Sequence, residues 1–215
     1  MQTQTTKATT QTQKTRTTEQ DRIVEQKLQK LKELYADAPE IGKAALKNGL
    51  ATVTEELAAA GRAQTAGRIG ARQGKVSELT VFLPFVKGGA KRLRGLLQLL
   101  EGNFRAADAV GTVHDMRFVF VDNDTKLLFA TAYDGDFDPY IEDFAAKIPN
   151  AMDLWLCNCE GYPGMRNPKA AADWIAKHQI AAEAWYVNSP NLSATETRRL
   201  EKVGKAVEEF LDKIG

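Results

Sequence analysis

One block of the chain, Gly111 to Gly164, gathers the residue types from which a reactive site could be assembled. It reads GTVHDMRFVFVDNDTKLLFATAYDGDFDPYIEDFAAKIPNAMDLWLCNCEGYPG. One of the chain's two histidines, His114, lies there, with Arg117 three residues on and Asp134 beyond a turn. An imidazole changes charge near neutral pH and can take or give a proton as a general base or acid. A guanidinium can hold a carboxylate or a peroxide-derived oxygen through its planar fork of donors. Asp134 is a polar partner for either. His114, Arg117 and Asp134 are therefore the candidate catalytic residues. Each also has a plainer reading. His114 could cap a backbone group at the start of a strand, and Arg117 could pair with Asp115 or with a helix carboxylate.

The strand that carries them sets a constraint. On a regular strand His114 shares a face with Met116, Phe118 and Phe120, while Asp115, Arg117, Val119 and Val121 point the other way. His114 and Arg117 then cannot serve one pocket unless a β-bulge intervenes, and the sequence carries no signal of one.

Other motifs are weaker. Asp134-Gly135-Asp136-Phe137-Asp138 spaces carboxylates like part of a calcium loop, but the remaining EF-hand positions are missing, and a turn followed by helix capping explains it better. Cys157 and Cys159 are one residue apart, a poor spacing for a disulfide, for structural zinc or for a Cys-x-x-Cys redox pair. Gly161-Tyr162-Pro163-Gly164 reads as a turn. Trp155, Trp174, Trp185, Tyr162 and Tyr186 read as core aromatics. The stretch Gly61 to Lys75, with four glycines and Arg62, Arg68 and Arg72, matches neither the P-loop nor the dinucleotide fingerprint and reads as a flexible linker.

The elements that must position these residues follow from periodicity. Residues 1–18 are mostly Thr, Gln and Lys and read as a disordered tail. Residues 19–60 read as a helical extension: Val24, Leu28, Leu31 and Tyr35 form one stripe, and a second helix opens at Pro39 and stops at Gly61. Residues 76–215 read as the compact domain. Leu79, Val81 and Leu83 mark a first strand ending at Pro84. A helix from about Gly89 to Glu101 follows, then strands over Val113–Val121 and Lys126–Tyr133. Asp138 with Pro139 predicts a helix start, and that helix stops at Pro149. A short helix over Pro168–Lys177, a fourth strand over Ile180–Val187 and a last helix behind a Ser193/Glu196 capping box complete the order. This β-α-β-β-α-(α)-β-α order predicts an α+β fold with a ferredoxin-like β-α-β-β-α-β core. One face of such a sheet has no helices to cover it, which predicts a homodimer or higher homo-oligomer built face to face.

Composition narrows the partners. Lys+Arg number 29 against 28 Asp+Glu in 215 residues, which gives no reason to expect a nucleic-acid partner or a polybasic membrane anchor. No apolar run approaches a membrane span, and no signal-peptide core precedes the cysteines. Two reduced thiols in a cytoplasmic protein that acts on a small molecule is the expectation.

From Ser77 onward the chain resembles the dimeric α+β barrel superfamily. The resemblance lies in ELTVFLPFVKGGAKRLRGLL, TVHDMRFVFVDNDTKLLFATAYDGDFDPYIEDF, CEGYPG and AEAWYVNSPNLSATETRRLEKVGKAVEEFLD. They are similar to a bacterial group with a THFARF…LLFxSNFDG…CEGYP signature. Where that group has His-Phe-Ala-Arg, this chain has His114-Asp115-Met116-Arg117, which adds a charge beside the histidine. The superfamily includes chlorite-dismutase-like and dye-decolourising-peroxidase-like haem proteins and antibiotic-biosynthesis-type monooxygenases that need no cofactor. The resemblance implies a small-molecule oxidoreductase, peroxidase-like, with haem as the leading cofactor. His114 would then be the metal ligand or base, and Arg117 would bind a haem propionate or an oxygen species. A cofactor-free monooxygenase, or a non-catalytic ligand-binding or assembly module on the same scaffold, is the alternative.

Overall fold

Val76–Pro84 (β3) is the strand around which the domain is organised, because both of its edges are used. On one edge it pairs antiparallel with Lys126–Asp134 (β5) along its whole length, from Val76 opposite Asp134 to Pro84 opposite Lys126. β5 in turn pairs antiparallel with Val113–Val121 (β4). On the other edge, residues Arg72 and Gln73 of Ala71–Gln73 (β2) pair with Ser77 and Val76, and β2 pairs with Gln64–Thr65 (β1). The result is a five-stranded antiparallel sheet of order β1-β2-β3-β5-β4. The hairpin between β4 and β5 turns through Asp122, Asn123 and Asp124, all at positive φ, which short polar side chains tolerate best.

The computed structural model describes residues 3–59, 64–101 and 104–214, with side chains from residue 19 onward. Residues 1–62 and 63–215 form two compact units. In the first, helices Thr3–Leu34 (α1), Glu40–Asn48 (α2) and Leu50–Ala59 (α3) are present, and α1 and α2 each touch α3. The backbone helix of α1 takes in Thr3 to Thr18, within the segment that composition assigns to a tail; Met1 and Gln2 lie outside the described residues. The second predicted helix is broken in two at Gly49, whose N–H bonds the carbonyl of Ala45.

In the second unit, Gly89–Leu99 (α4) and Phe137–Lys147 (α6) lie near their expected bounds, and Pro168–Lys177 (α8) matches them. Two short helices, Arg105–Val110 (α5) and Pro149–Leu156 (α7), were not expected. The last helix is Ala194–Ile214 (α9). Alternate residues of the strands, among them Leu79, Val81, Leu83, Leu127, Phe129 and Tyr133, join Leu93, Phe137, Ile141, Phe144 and Trp155 in one buried core. That is the helix-covered face. Glu78, Thr80, Phe82, Leu128, Ala130, Ala132, Arg117 and Val119 alternate onto the other face.

Three expectations are corrected. Residues 61–63 lie outside the described residues, but 64–75 are not a flexible linker: they form β1 and β2 and are fastened to the domain. Arg68 pairs with Asp138 at 2.9 Å and with Asp173 at 2.8 Å, and Arg72 pairs with Asp136 at 2.7 Å. Secondly, Ile180–Val187 form no strand. Gln179 alone bridges Val81, with Phe82 N–H donating to the His178 carbonyl and Ile180 N–H to that of Thr80. A fourth strand running on from Gln179 would reach the edge of β3 at Ser77, and β2 already holds that place. Thirdly, α6 begins at Phe137 behind Asp136, so Asp138 sits in the first turn and pairs with Arg68 instead of capping the helix.

Candidate functional site

The register of β4 slips between Val113 and Asp115: Val113 lies opposite Tyr133 and Asp115 opposite Ala132, so His114 is an extra residue with no partner. This is a β-bulge, and bulges re-aim side chains. Here the imidazole turns to the face opposite the main core and places Nε2 2.8 Å from Asp134 Oδ1. Asp134 follows core-facing Tyr133 and so stands on the same open face as Ala132 and Ala130. Its second oxygen, Oδ2, accepts the N–H of Ala194 at 2.9 Å, in the first turn of α9. Their side chains are 20% and 16% exposed, though His114 as a whole residue is exposed and Asp134 partly buried. One carboxylate thus links the bulged histidine to the start of the last helix.

Arg117 is opposite Ala130 and shares that face, so the bulge removes the obstacle that regular alternation presents. Arg117 is bound to Asp115 through Nη2 and Oδ2 at 3.1 Å, with both side chains largely in solvent. The three candidate residues are therefore on one face, with His114 and Asp134 in direct contact and Arg117 paired separately with Asp115. Clefts beside Trp155, Lys47 and Arg166 contain none of the three.

The other carboxylates of the 134–138 run go separate ways, Asp136 to Arg72 and Asp138 to Arg68. Among the described residues no group of three or more His, Cys, Asp or Glu side chains could hold a bare metal ion. A haem iron asks for less, a single protein nitrogen. An imidazole whose other nitrogen is held by a carboxylate is a common ligating arrangement, and His114 with Asp134 suits it. The open face on which it stands, with Arg117, Asp115 and Val119 exposed, supplies one wall.

The CEGYPG segment is a structural tie. Phe85 bridges Cys159, Glu160 N–H donates to the Pro84 carbonyl, and Trp174 Nε1 donates to that of Glu160. Asp153 Oδ1 accepts both the Tyr162 hydroxyl and the Met165 N–H, each at 2.7 Å. Cys157 is exposed and Cys159 buried, both free; burial first and then the neighbouring Cys157 push the Cys159 thiol up to about 12. The second histidine, His178, bonds the Trp174 carbonyl through Nδ1.

Sequence reasoning missed a polar cluster. Glu78, only 4% exposed, accepts the Ala71 N–H and the Thr80 hydroxyl. On the core side Thr131 Oγ1 contacts the Tyr140 hydroxyl at 2.9 Å, and the Tyr140 ring stacks on Tyr133 at 3.8 Å. Burial raises both phenols well above their ordinary range. The arginines of the glycine-rich stretch were the one available signal that its backbone could be held against β3.

No protein-family model, no curated protein and no solved structure gives a significant match to the chain.

Proposed function

We propose that the protein is a small-molecule oxidoreductase with His114 as its proton-handling group. The observation that carries the reading is the 2.8 Å contact between His114 Nε2 and Asp134 Oδ1, with the other Asp134 oxygen held by Ala194. A carboxylate that fixes one ring nitrogen sets the tautomer and aim of the other, so Nδ1 is left to take a proton or meet a ligand. The oxidoreductase class rests on the resemblance of the chain from Ser77 onward to the dimeric α+β barrel group. A ferredoxin-like core is supported by the order β3-α4-α5-β4-β5-α6 and by residues 178–180 beside β3, where a fourth strand would lie.

A face-to-face homodimer belongs to the same reading. Phe82, Leu128 and Val119 form a row across three strands of the open face, and Val119 is 45% exposed. Two such faces brought together would bury the row and wall in His114. Arg117, released from Asp115, would then bind the anionic part of a substrate. Haem is the second reading, favoured by the carboxylate-held imidazole. When bound it would supply iron redox chemistry; His114 would hold the iron and Arg117 a propionate.

Titrating the purified chain with haemin separates the two readings. A saturating Soret band that shifts in His114→Ala supports haem; a chain that stays colourless excludes it. Oxygen and peroxide consumption over a panel of phenols and quinols then tests the enzyme itself. Turnover that His114→Ala abolishes supports the proposal. A wild-type protein inert to the whole panel, with and without haemin, would leave the non-catalytic module as the better reading.

A further inference from the structure

The helical unit of residues 1–62 holds a cleft that the catalytic reading does not use. Two helix faces wall it. On α1, Lys32, Tyr35 and Ala36 stand at i, i+3 and i+4, which brings them to one side of the helix. On α2, Lys43, Leu46 and Lys47 repeat that spacing, and Leu50 opens α3 beside them. The space between these faces is about 350 Å³, at the small end of the range of ligand sites. Leu46 and Leu50 are half-buried, and Tyr35 is 43% exposed.

The lining has two characters. Tyr35, Ala36, Leu46 and Leu50 give an apolar wall, which the methylene stems of the lysines extend. Three of the seven lining residues are lysines and none is acidic. Lys43 is neutralised by Glu40 at 3.0 Å. Lys32 and Lys47 have no hydrogen-bond or ion-pair partner among the described residues. Glu33, next to Lys32, instead accepts from Gln29 Nε2 at 2.8 Å. Two uncompensated cations beside an apolar wall favour an anion that carries its own apolar body. We infer that this cleft binds a small amphipathic carboxylate of the medium-chain fatty-acid type. Its acyl chain lies against Tyr35, Leu46 and Leu50, and Lys32 and Lys47 hold the carboxylate. A neutral alcohol of the same length would gain only the apolar part. The site lies wholly within the first unit and does not depend on His114 or on the sheet face.

Equilibrium dialysis of the full chain against radiolabelled decanoate, below its micelle concentration, tests it. Binding should saturate at a single site. Octanoate should compete roughly fourfold or more weakly, because two methylenes leave the apolar wall. Decanol should also compete less well than decanoate; equal competition would overturn the inference. The double substitution Lys32→Gln with Lys47→Gln should weaken decanoate by roughly fivefold or more and leave decanol unchanged, whereas arginine at both positions should retain decanoate. Ala36→Phe, which fills the cleft and keeps the lysines, should weaken both ligands. Far-UV circular dichroism of each variant should match that of the wild type. Decanoate bound equally by the wild type and by the glutamine and phenylalanine variants would lie elsewhere on the chain and overturn the inference, as would no binding at millimolar decanoate. Capture on phosphatidylglycerol vesicles that needs Lys32 and Lys47, with no uptake of free decanoate, would make this face a membrane contact instead and would also overturn it.

Discussion

At the scale of single residues, Asp134 is bound on both sides, and its removal should be felt twice. Asp134→Ala leaves the His114 Nε2 and the Ala194 N–H without their acceptor. The expected loss is about 1–2 kcal/mol in urea denaturation, and Asp134→Asn, which keeps an oxygen, should lose less. Glu196 gives a pH signature. Its hydrogen bond to Lys75, and then its bonds to Ser193, hold the carboxyl down at about 2 against an ordinary 4.5. A depressed carboxyl stabilises the fold above its unfolded value, so this contribution is present above pH 4.5 and is lost as the pH falls toward 2. The helical signal of α9 should fall over that window, and Glu196→Gln should remove the pH dependence. The capping box itself was legible from Ser193 and Glu196 alone. The bulge at His114 was not, because one extra residue in a strand leaves the pattern on its far side intact: Met116, Phe118 and Phe120 still face the core.

At the scale of elements, the hairpin of β1 and β2 decides the sheet's edge. Gly70, between these strands, has a φ of +87°, and a Cβ there would collide with the Glu78 carbonyl. Gly70→Ala should therefore destabilise the domain by roughly 1–3 kcal/mol, read as a lowered Tm. A chain cut to start at residue 76 should lose more, since Arg68, Arg72 and the Ala71 N–H leave together. Strands β3, β4 and β5 and helices α4 and α8 could be read because each buries one face and its apolar residues recur at the matching period. Residues 64–75 have no such period. They are held by charge pairs with partners about 64 to 105 positions away, Asp136, Asp138 and Asp173, and pairing at that separation leaves no local trace. The same edge explains the missing strand: Ile180–Val187 have strand-like residues at both ends, but Ala181, Ala182 and Ala184 offer little to bury, and the edge of β3 was taken.

At the scale of the whole molecule, the two faces of the sheet give opposite outcomes for the same chemical change. Phe118 packs among Phe129, Phe104 and Trp155 at 5.1, 5.4 and 5.6 Å. Phe118→Asp should unfold the domain, at a cost of roughly 3 kcal/mol or more from lost aromatic burial and an unpaired charge. Val119, its neighbour, faces outward. Val119→Asp should leave the unfolding free energy of the subunit within about 0.5 kcal/mol of wild type, and, where the proposed face-to-face dimer forms, weaken it in analytical ultracentrifugation. No described helix is long and apolar enough to cross a membrane.

The unequal environments of Cys157 and Cys159 make the chain a ready substrate for site-selective chemistry. A maleimide dye near neutral pH needs a thiolate within reach. Cys159 is buried and its thiol is pushed up to about 12, whereas Cys157 at the end of α7 is exposed. Intact-mass spectrometry should find one label per folded chain and two after denaturation. The dye would sit at the end of α7, whose Met152, Trp155 and Leu156 pack into the covered core, whereas Val119 lies on the opposite face of the sheet. It could then follow oligomerisation and ligand uptake by fluorescence in the wild-type sequence, with no engineered cysteine.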